Sequence, residues 1–428
     1  MKISKHPILT GALILTVTGL SSRVIGFFYR IFLSRTIGAG GLGIYQLVFP
    51  IFALCLSACT GGIQSGISKL VAEGSKRNKS DSSVLISGIL LSQVPAAICA
   101  CALHFFSEPI STYIIGEKAC EPLLFIVACS LPLACLHSCF NGFYYGKNDT
   151  KIPAISQLLE QCARVFSVYL FYLVATNEGR SLTPDLAMWG SFCGEAASCL
   201  FCLSSYKWQT FKFSLPLTKE LFFFSAPLTG NRLVLNLFAS AEAILLPRAL
   251  VRYGFSSTNS LEVFGIFSGM AFPVILLPTV FTGSLSVLLL PAIAKSNADA
   301  DRKQLNASIT KTVELCLILG LLCTLGFLLF GKMIGELLFQ NELCGSLIRS
   351  LGFLCPFLFF TGTLSSVLHG LNHTMYTFIW NVVSCGIRIL ALAVLVPVFG
   401  LHVYLWSLLL SQILMTCAYI VKIKKCAK

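Results

Sequence analysis

Apolar residues run along this chain in long blocks, separated by short stretches rich in Lys, Arg, Asp, Asn and Gly. A helix needs roughly 20 apolar residues to cross the hydrocarbon core of a bilayer. On that template the pattern predicts twelve spans, at about 7–34, 42–69, 83–106, 122–146, 153–175, 185–206, 219–248, 261–294, 308–330, 346–370, 375–396 and 401–422. The fold class expected is an all-α integral membrane protein.

Composition agrees with the pattern. Of 428 residues, 56% are hydrophobic and 11% charged, and the mean hydropathy is +0.82; soluble domains run near a quarter charged. The net charge of +13 would suit a nucleic-acid partner only if it gathered on one soluble face, and here the basic residues sit in the breaks between spans. With both termini placed in the cytoplasm they obey the positive-inside rule. The inner segments carry Lys2, Lys5, Lys69, Lys76, Arg77, Lys79, Lys147, Lys151, Lys207, Lys212, Lys219, Lys295, Arg302, Lys303, Lys311, Lys422, Lys424, Lys425 and Lys428. The outer segments carry Arg35, Lys118, Arg180, Arg248, Arg252 and Lys332, nineteen against six. Ile8 to Phe32 is too long for a signal-peptide core and is read as the first span. The nineteen cysteines lie mostly inside the spans, and Cys199 and Cys202, the C-x-x-C, have no second ligand pair, so they read as small apolar filler and neither metal nor cofactor is expected. No loop exceeds about twenty residues and no Walker motif is present, which leaves no soluble catalytic or nucleotide-binding domain. Transport would then draw on an ion gradient, the membrane potential or the substrate's own gradient.

An internal repeat is legible. FLSRTIGAG, GIYQLVFPIF and KLVAEGSKRN follow one another around the first two spans, and LLPRALVRYG, GIFSGMAFPVI and PAIAKSNADA follow in the same order around the seventh and eighth. The second half is expected to carry a longer outer loop, Tyr253 to Leu261. Six spans per half is an even number, so both halves enter the membrane the same way, as two parallel six-helix bundles. The domain plan is residues 1–206, a cytoplasmic linker at 207–218, and residues 219–428. Prolines gather in spans two, seven and eight, at Pro50, Pro227, Pro247, Pro273, Pro278 and Pro291, and bent helices suit alternating access.

Six arginines fall inside spans: Arg23, Arg30, Arg164, Arg232, Arg349 and Arg388, with Glu160, Glu195, Glu242 and Glu314 as acidic companions. A charge at bilayer depth costs at least roughly 2.5–3.5 kcal/mol, so each should face a partner or a cavity. Arg23 and Arg30 are two helical turns apart, about 10 Å along one face, and no acid lies on their helix. Arg232 occupies the related first helix of the second half, beside Asn231 and Asn236. Arg23 and Arg232, one from each bundle, would face each other across an electropositive cleft, and the planar guanidinium fork suits phosphate. Arg23, Arg30 and Arg232 are the candidate substrate-binding residues. Glu160 and Arg164 have the spacing of an i, i+4 pair; Glu195 and Glu242 are open between neutralising arginines of other helices and binding a coupling cation, and Arg388 is a candidate for ion pairing or coupling.

The run GLSSRVIGFFYRIFLSRTIGAGGLGIYQLVFPIF, with ISKLVAE after it, resembles the stage V sporulation protein B and polysaccharide-exporter branch of the multidrug/oligosaccharidyl-lipid/polysaccharide superfamily, to which the lipid II flippase is related. The resemblance implies a MATE-like, V-shaped pair of six-helix bundles that moves a lipid-linked saccharide, of oligosaccharide or peptidoglycan type, from the inner to the outer leaflet. It also implies that Arg23 and Arg30 hold a pyrophosphate. Flippases of that kind often have fourteen spans, and their second helix carries basic residues where Leu54 to Thr60 has none. The function expected is a flippase of a bacterial cytoplasmic membrane, with the lipid-linked saccharide and membrane lipids as partners and no nucleic acid. Its rival is a multidrug/cation antiporter, which prefers an acidic cavity. A membrane-embedded glycosyltransferase would need a larger external loop than any here.

Overall fold

A computed structural model describes residues 7–77, 81–207, 214–283 and 302–427. These are helical almost throughout, as they must be where lipid offers backbone groups no hydrogen bonds. The helices are α1 (Pro7–Thr36), α2 (Gly38–Thr60), α3 (Ile63–Arg77), α4 (Asp81–Phe105), α5 (Glu121–Gly146), α6 (Lys151–Asn177), α7 (Pro184–Ser205), α8 (Leu215–Tyr253), α9 (Ser257–Gly265), α10 (Arg302–Phe339), α11 (Glu342–Leu351), α12 (Cys355–Gly370), α13 (Thr374–Leu390) and α14 (Leu401–Ala427). Among the described residues, eleven helical segments are long and apolar enough to span a bilayer, and the 30-residue α1 precedes them. The end of the eighth expected span, the segment PAIAKSNADA with Lys295, half of the linker 207–218, and Lys2, Lys5, Lys79 and Lys428 lie outside the described residues.

Several expected spans are compound. The second breaks at Gly61 and Gly62 into α2 and α3, and the tenth joins α11 to α12 through a short 3-10 turn at Gly352–Leu354. The eighth and eleventh contain π-helical turns, Ile266–Ala271 and Ala391–Leu395, each directly ahead of a helix whose first turn carries a proline, Pro273 or Pro397. Proline lacks an N–H and clashes with the carbonyl four residues back, and a widened preceding turn relieves both problems. The long outer loop expected from Tyr253 to Leu261 is mostly helix. Only Gly254 to Ser256 connect α8 to α9, and the Ser256 hydroxyl caps the new helix by accepting the Asn259 N–H at 3.2 Å.

The chain forms two compact units, Met1–Ser240 and Ala241–Lys428, dividing inside α8. In the first, α5 is central, packing against α2, α3, α4 and α7, and its core gathers Ile67, Leu85, Phe140 and Leu221. In the second, α12 and α14 pack through Leu364, Leu368 and the fully buried Tyr419.

The break at Gly62 is set by contact with α8. The Gly62 N–H donates to Thr229 Oγ1 at 2.9 Å, and a Cβ at Gly62 would lie 2.1 Å from the Ser225 carbonyl oxygen. Nearby, Asn236 Nδ2 donates to the Ala53 carbonyl at 3.4 Å and the Ser240 hydroxyl to the Pro50 carbonyl at 2.8 Å, pinning α8 along the proline-containing α2. Gly62→Ala should therefore destabilise the protein in detergent by about 1–3 kcal/mol, as overpacking does. Gly230→Ala, with open space around its Cβ, should leave the melting temperature unchanged or raise it. Equal melting of the two variants would contradict the packing described.

Candidate substrate and ion site

In the first unit, polar residues recur every fourth position on three neighbouring helices. His137 and Asn141 lie on α5, Ser156, Glu160 and Arg164 on α6, and Ser191 and Glu195 on α7. That spacing stacks them on one face of each helix. Helices α6 and α7 approach so closely that a Cβ at Gly194 would lie 2.7 Å from the Glu160 carbonyl oxygen. Glycine on α7 is what lets the two acid-bearing backbones meet.

Arg164 Nη2 donates to Glu160 Oε1 at 2.5 Å, an i, i+4 pair that is mostly buried. Arg164 Nε is buried without a hydrogen-bond partner. His137 Nε2 lies 2.5 Å from Ser156 Oγ and 2.9 Å from Asn141 Nδ2, while its Nδ1 faces Glu195 Oε2 at 3.6 Å. Glu195 is 8% exposed and Oε2 has no hydrogen-bond partner. His137, Glu160 and Glu195 each bring one ligand atom within 4.8 Å of the others, a donor set able to hold a metal ion. Beside them is a small cavity lined by Phe49, Phe52 and Met188 together with Arg164, Ser191 and Glu195. The Tyr45 hydroxyl reaches the cavity-lining Ser191 Oγ at 3.1 Å.

In the second unit, Arg388 on α13 grips Glu242 on α8 through two parallel bonds, Nε to Oε1 at 2.8 Å and Nη2 to Oε2 at 3.1 Å. The Tyr404 hydroxyl donates to Glu242 Oε1 at 2.7 Å, and Arg388 Nη1 reaches Ser384 Oγ at 3.3 Å. The Tyr404 ring stacks edge-on against Phe267, in the π turn of the eighth span, at 5.4 Å. A forked pair with a phenol on one oxygen satisfies most of both charges.

The structure distributes the sequence-predicted residues unevenly. Arg23 is exposed on α1, and Arg30 is half-buried on the same helix, within electrostatic range of Tyr45 and Arg164. Arg232 is exposed on the part of α8 that belongs to the first unit, so the same unit carries all three. Arg30 makes no hydrogen bond or ion pair among the described residues. Glu160 joins Arg164, Glu242 joins Arg388, and Glu195 joins His137. His137, Ser156, Tyr45 and Tyr404 carried no signal in the sequence: a lone histidine and scattered hydroxyls in apolar helices look the same whether they fill a core or build a site.

Comparisons with known proteins bear on both fold and class. Over residues 8–253 the chain matches the family model described as polysaccharide biosynthesis protein. The Bacillus subtilis (strain 168) stage V sporulation protein B is 27% identical over 384 residues, covering 86% of this chain and 74% of that protein. The lipid II flippase MurJ of the same organism is 23% identical over 353 residues, covering 76% of this chain and 64% of its own length. An inward-facing multidrug resistance MATE family transporter of the MOP superfamily superposes with a TM-score of 0.77 at 14% identity, covering 97% of this chain and 98% of that one. The last likeness establishes the MATE-like fold of a multi-pass membrane protein. With more than half of its length matched by the family model, the chain belongs to the polysaccharide biosynthesis protein family.

Proposed function

We propose that this protein flips a lipid-linked oligosaccharide or peptidoglycan-type precursor across a bacterial cytoplasmic membrane by alternating access. Both termini are cytoplasmic, and two six-helix bundles, 1–206 and 219–428, do the moving. The substrate is a polyprenyl pyrophosphate saccharide, membrane lipids surround the path, and an ion gradient or the membrane potential supplies the drive. The protein translocates its substrate and breaks no bond in it. Family membership, the sporulation and lipid II flippase relatives, and the fold support this reading.

The observation that carries it is the placement of Arg30. A guanidinium on a helix without acids, half-buried and without a hydrogen bond or ion pair among the described residues, lies within electrostatic range of a second guanidinium, that of Arg164. Two like charges near each other in low dielectric repel, and an anion received between them turns that cost into attraction. A pyrophosphate fits the requirement, with Arg23 and Arg232 as further contacts along its path. Export of cations by an antiporter is the weaker reading, because Arg388 grips both oxygens of Glu242 and Glu160 gives one oxygen to Arg164.

In proteoliposomes carrying a fluorescent undecaprenyl-pyrophosphate disaccharide, Arg30→Ala should slow appearance of the probe in the opposite leaflet by about tenfold or more, the worth of a charge-assisted hydrogen bond. Arg30→Lys should recover only part of the rate, and unchanged flipping by Arg30→Ala would overturn the assignment. Glu242→Gln should destabilise the protein by about 3–5 kcal/mol, because it leaves a buried guanidinium uncompensated. Adding Arg388→Met should restore most of the loss on thermal unfolding in detergent; a double variant as unstable as the single one would show that the pair is not what matters there.

A further inference from the structure

A cavity lined by Arg164 and Glu195, with Glu160 paired to that same arginine, poses a problem of sign for an anionic substrate. Two carboxylates stand there against the one guanidinium of Arg164, which opposes a pyrophosphate. The geometry points to a resolution: we propose that His137, Glu160 and Glu195 form a site for one first-row divalent cation of the Mn2+ type, whose open coordination positions take a phosphate oxygen of the substrate. The substrate half of this proposal rests on the flippase reading above; the metal half does not.

Three observations carry it. The ligand atoms come from three helices, α5, α6 and α7, and lie within 4.8 Å of one another. Two of the three side chains are already held from behind, as metal ligands are. His137 is fixed through Nε2 by Ser156 Oγ at 2.5 Å, leaving Nδ1 toward the acids, and Glu160 is fixed by Arg164 at 2.5 Å through one oxygen only. The third, Glu195, points Oε2 at His137 Nδ1 across 3.6 Å, buried and without a hydrogen bond. An unpaired carboxylate oxygen in apolar surroundings is costly, and a cation between it and the imidazole removes the cost. One imidazole and two carboxylates, with no thiolate, suit Mn2+ or Fe2+ better than a soft metal. Three protein ligands leave positions open, and the cavity at Arg164, Ser191 and Glu195 lies against them. A divalent ion adds two positive charges to that cluster. Metal, Arg164 and Arg30 then present a single sign to the pyrophosphate.

The test uses the purified full-length protein in detergent, stripped with chelator and titrated with Mn2+ while electron paramagnetic resonance reports the free ion. About one tight equivalent is expected, with an electron spin echo modulation from one imidazole nitrogen. Glu195→Gln and His137→Gln should each weaken binding by at least tenfold, and His137→Gln should remove the nitrogen modulation. Ser156→Ala, which leaves every ligand in place, should weaken binding by about tenfold, in the range of lost supporting contacts. Melting curves without metal establish that the variants fold. Absence of a tight equivalent in the wild type, or undiminished binding in a folded Glu195→Gln variant, would overturn the site. Inorganic pyrophosphate is then added to the Mn2+-loaded protein. Phosphorus hyperfine coupling that disappears in Glu195→Gln supports the shared phosphate. Metal binding without any phosphorus coupling would overturn the substrate half and leave the metal site standing, and it says nothing against flipping itself.

Discussion

A guanidinium in apolar surroundings has to meet a carboxylate or a phosphate, and much of this structure's polar architecture follows from that requirement. Arg164 meets Glu160 on its own helix, and Arg388 meets Glu242 from another. Arg388 occupies both oxygens of its acid, whereas Arg164 occupies one oxygen of Glu160. Arg388 is fully engaged by two bonds to one carboxylate and a tyrosine on the same acid. Arg164 is only partly engaged, keeping a buried Nε without a partner. Buried ion pairs contribute little to stability compared with apolar packing of the same shape, so their presence points to a use beyond holding helices together.

The close helix contacts serve the same end. Gly194 lets the backbone of α7 approach that of α6 at the level of Glu160, which is how carboxylates from two helices and an imidazole from a third come within a few ångströms of one another. Gly62 does the equivalent for α8 against the start of α3, so that Thr229, Asn236 and Ser240 reach backbone groups of α2 and of the break that follows it. In both places the absence of a side chain sets the distance at which polar groups meet.

Most of the fold was legible in the sequence because bilayer thickness imposes one length on every span. The twelve apolar blocks correspond to α1 and the eleven long segments that follow it. What the blocks concealed was local: the break at Gly61 and Gly62, the π turns before Pro273 and Pro397, and the near disappearance of the loop after Tyr253. Hydropathy does not register these, since they depend on which neighbour a helix touches. The Glu160–Arg164 spacing was readable because i, i+4 geometry is internal to one helix. The Glu242–Arg388 pair was not, because 146 residues separate its members. His137 was invisible for the same reason, because Ser156 and Glu195 lie on α6 and α7.

A carrier of an anionic lipid-linked saccharide, and of no free cation, leaves a signature in the leaflets. After depletion of the protein in its own cell, impermeant enzymatic labelling and mass spectrometry assign each lipid-linked saccharide to a leaflet. One polyprenyl pyrophosphate saccharide should accumulate in the inner leaflet and fall in the outer. Unchanged levels of every such lipid in both leaflets would refute this role.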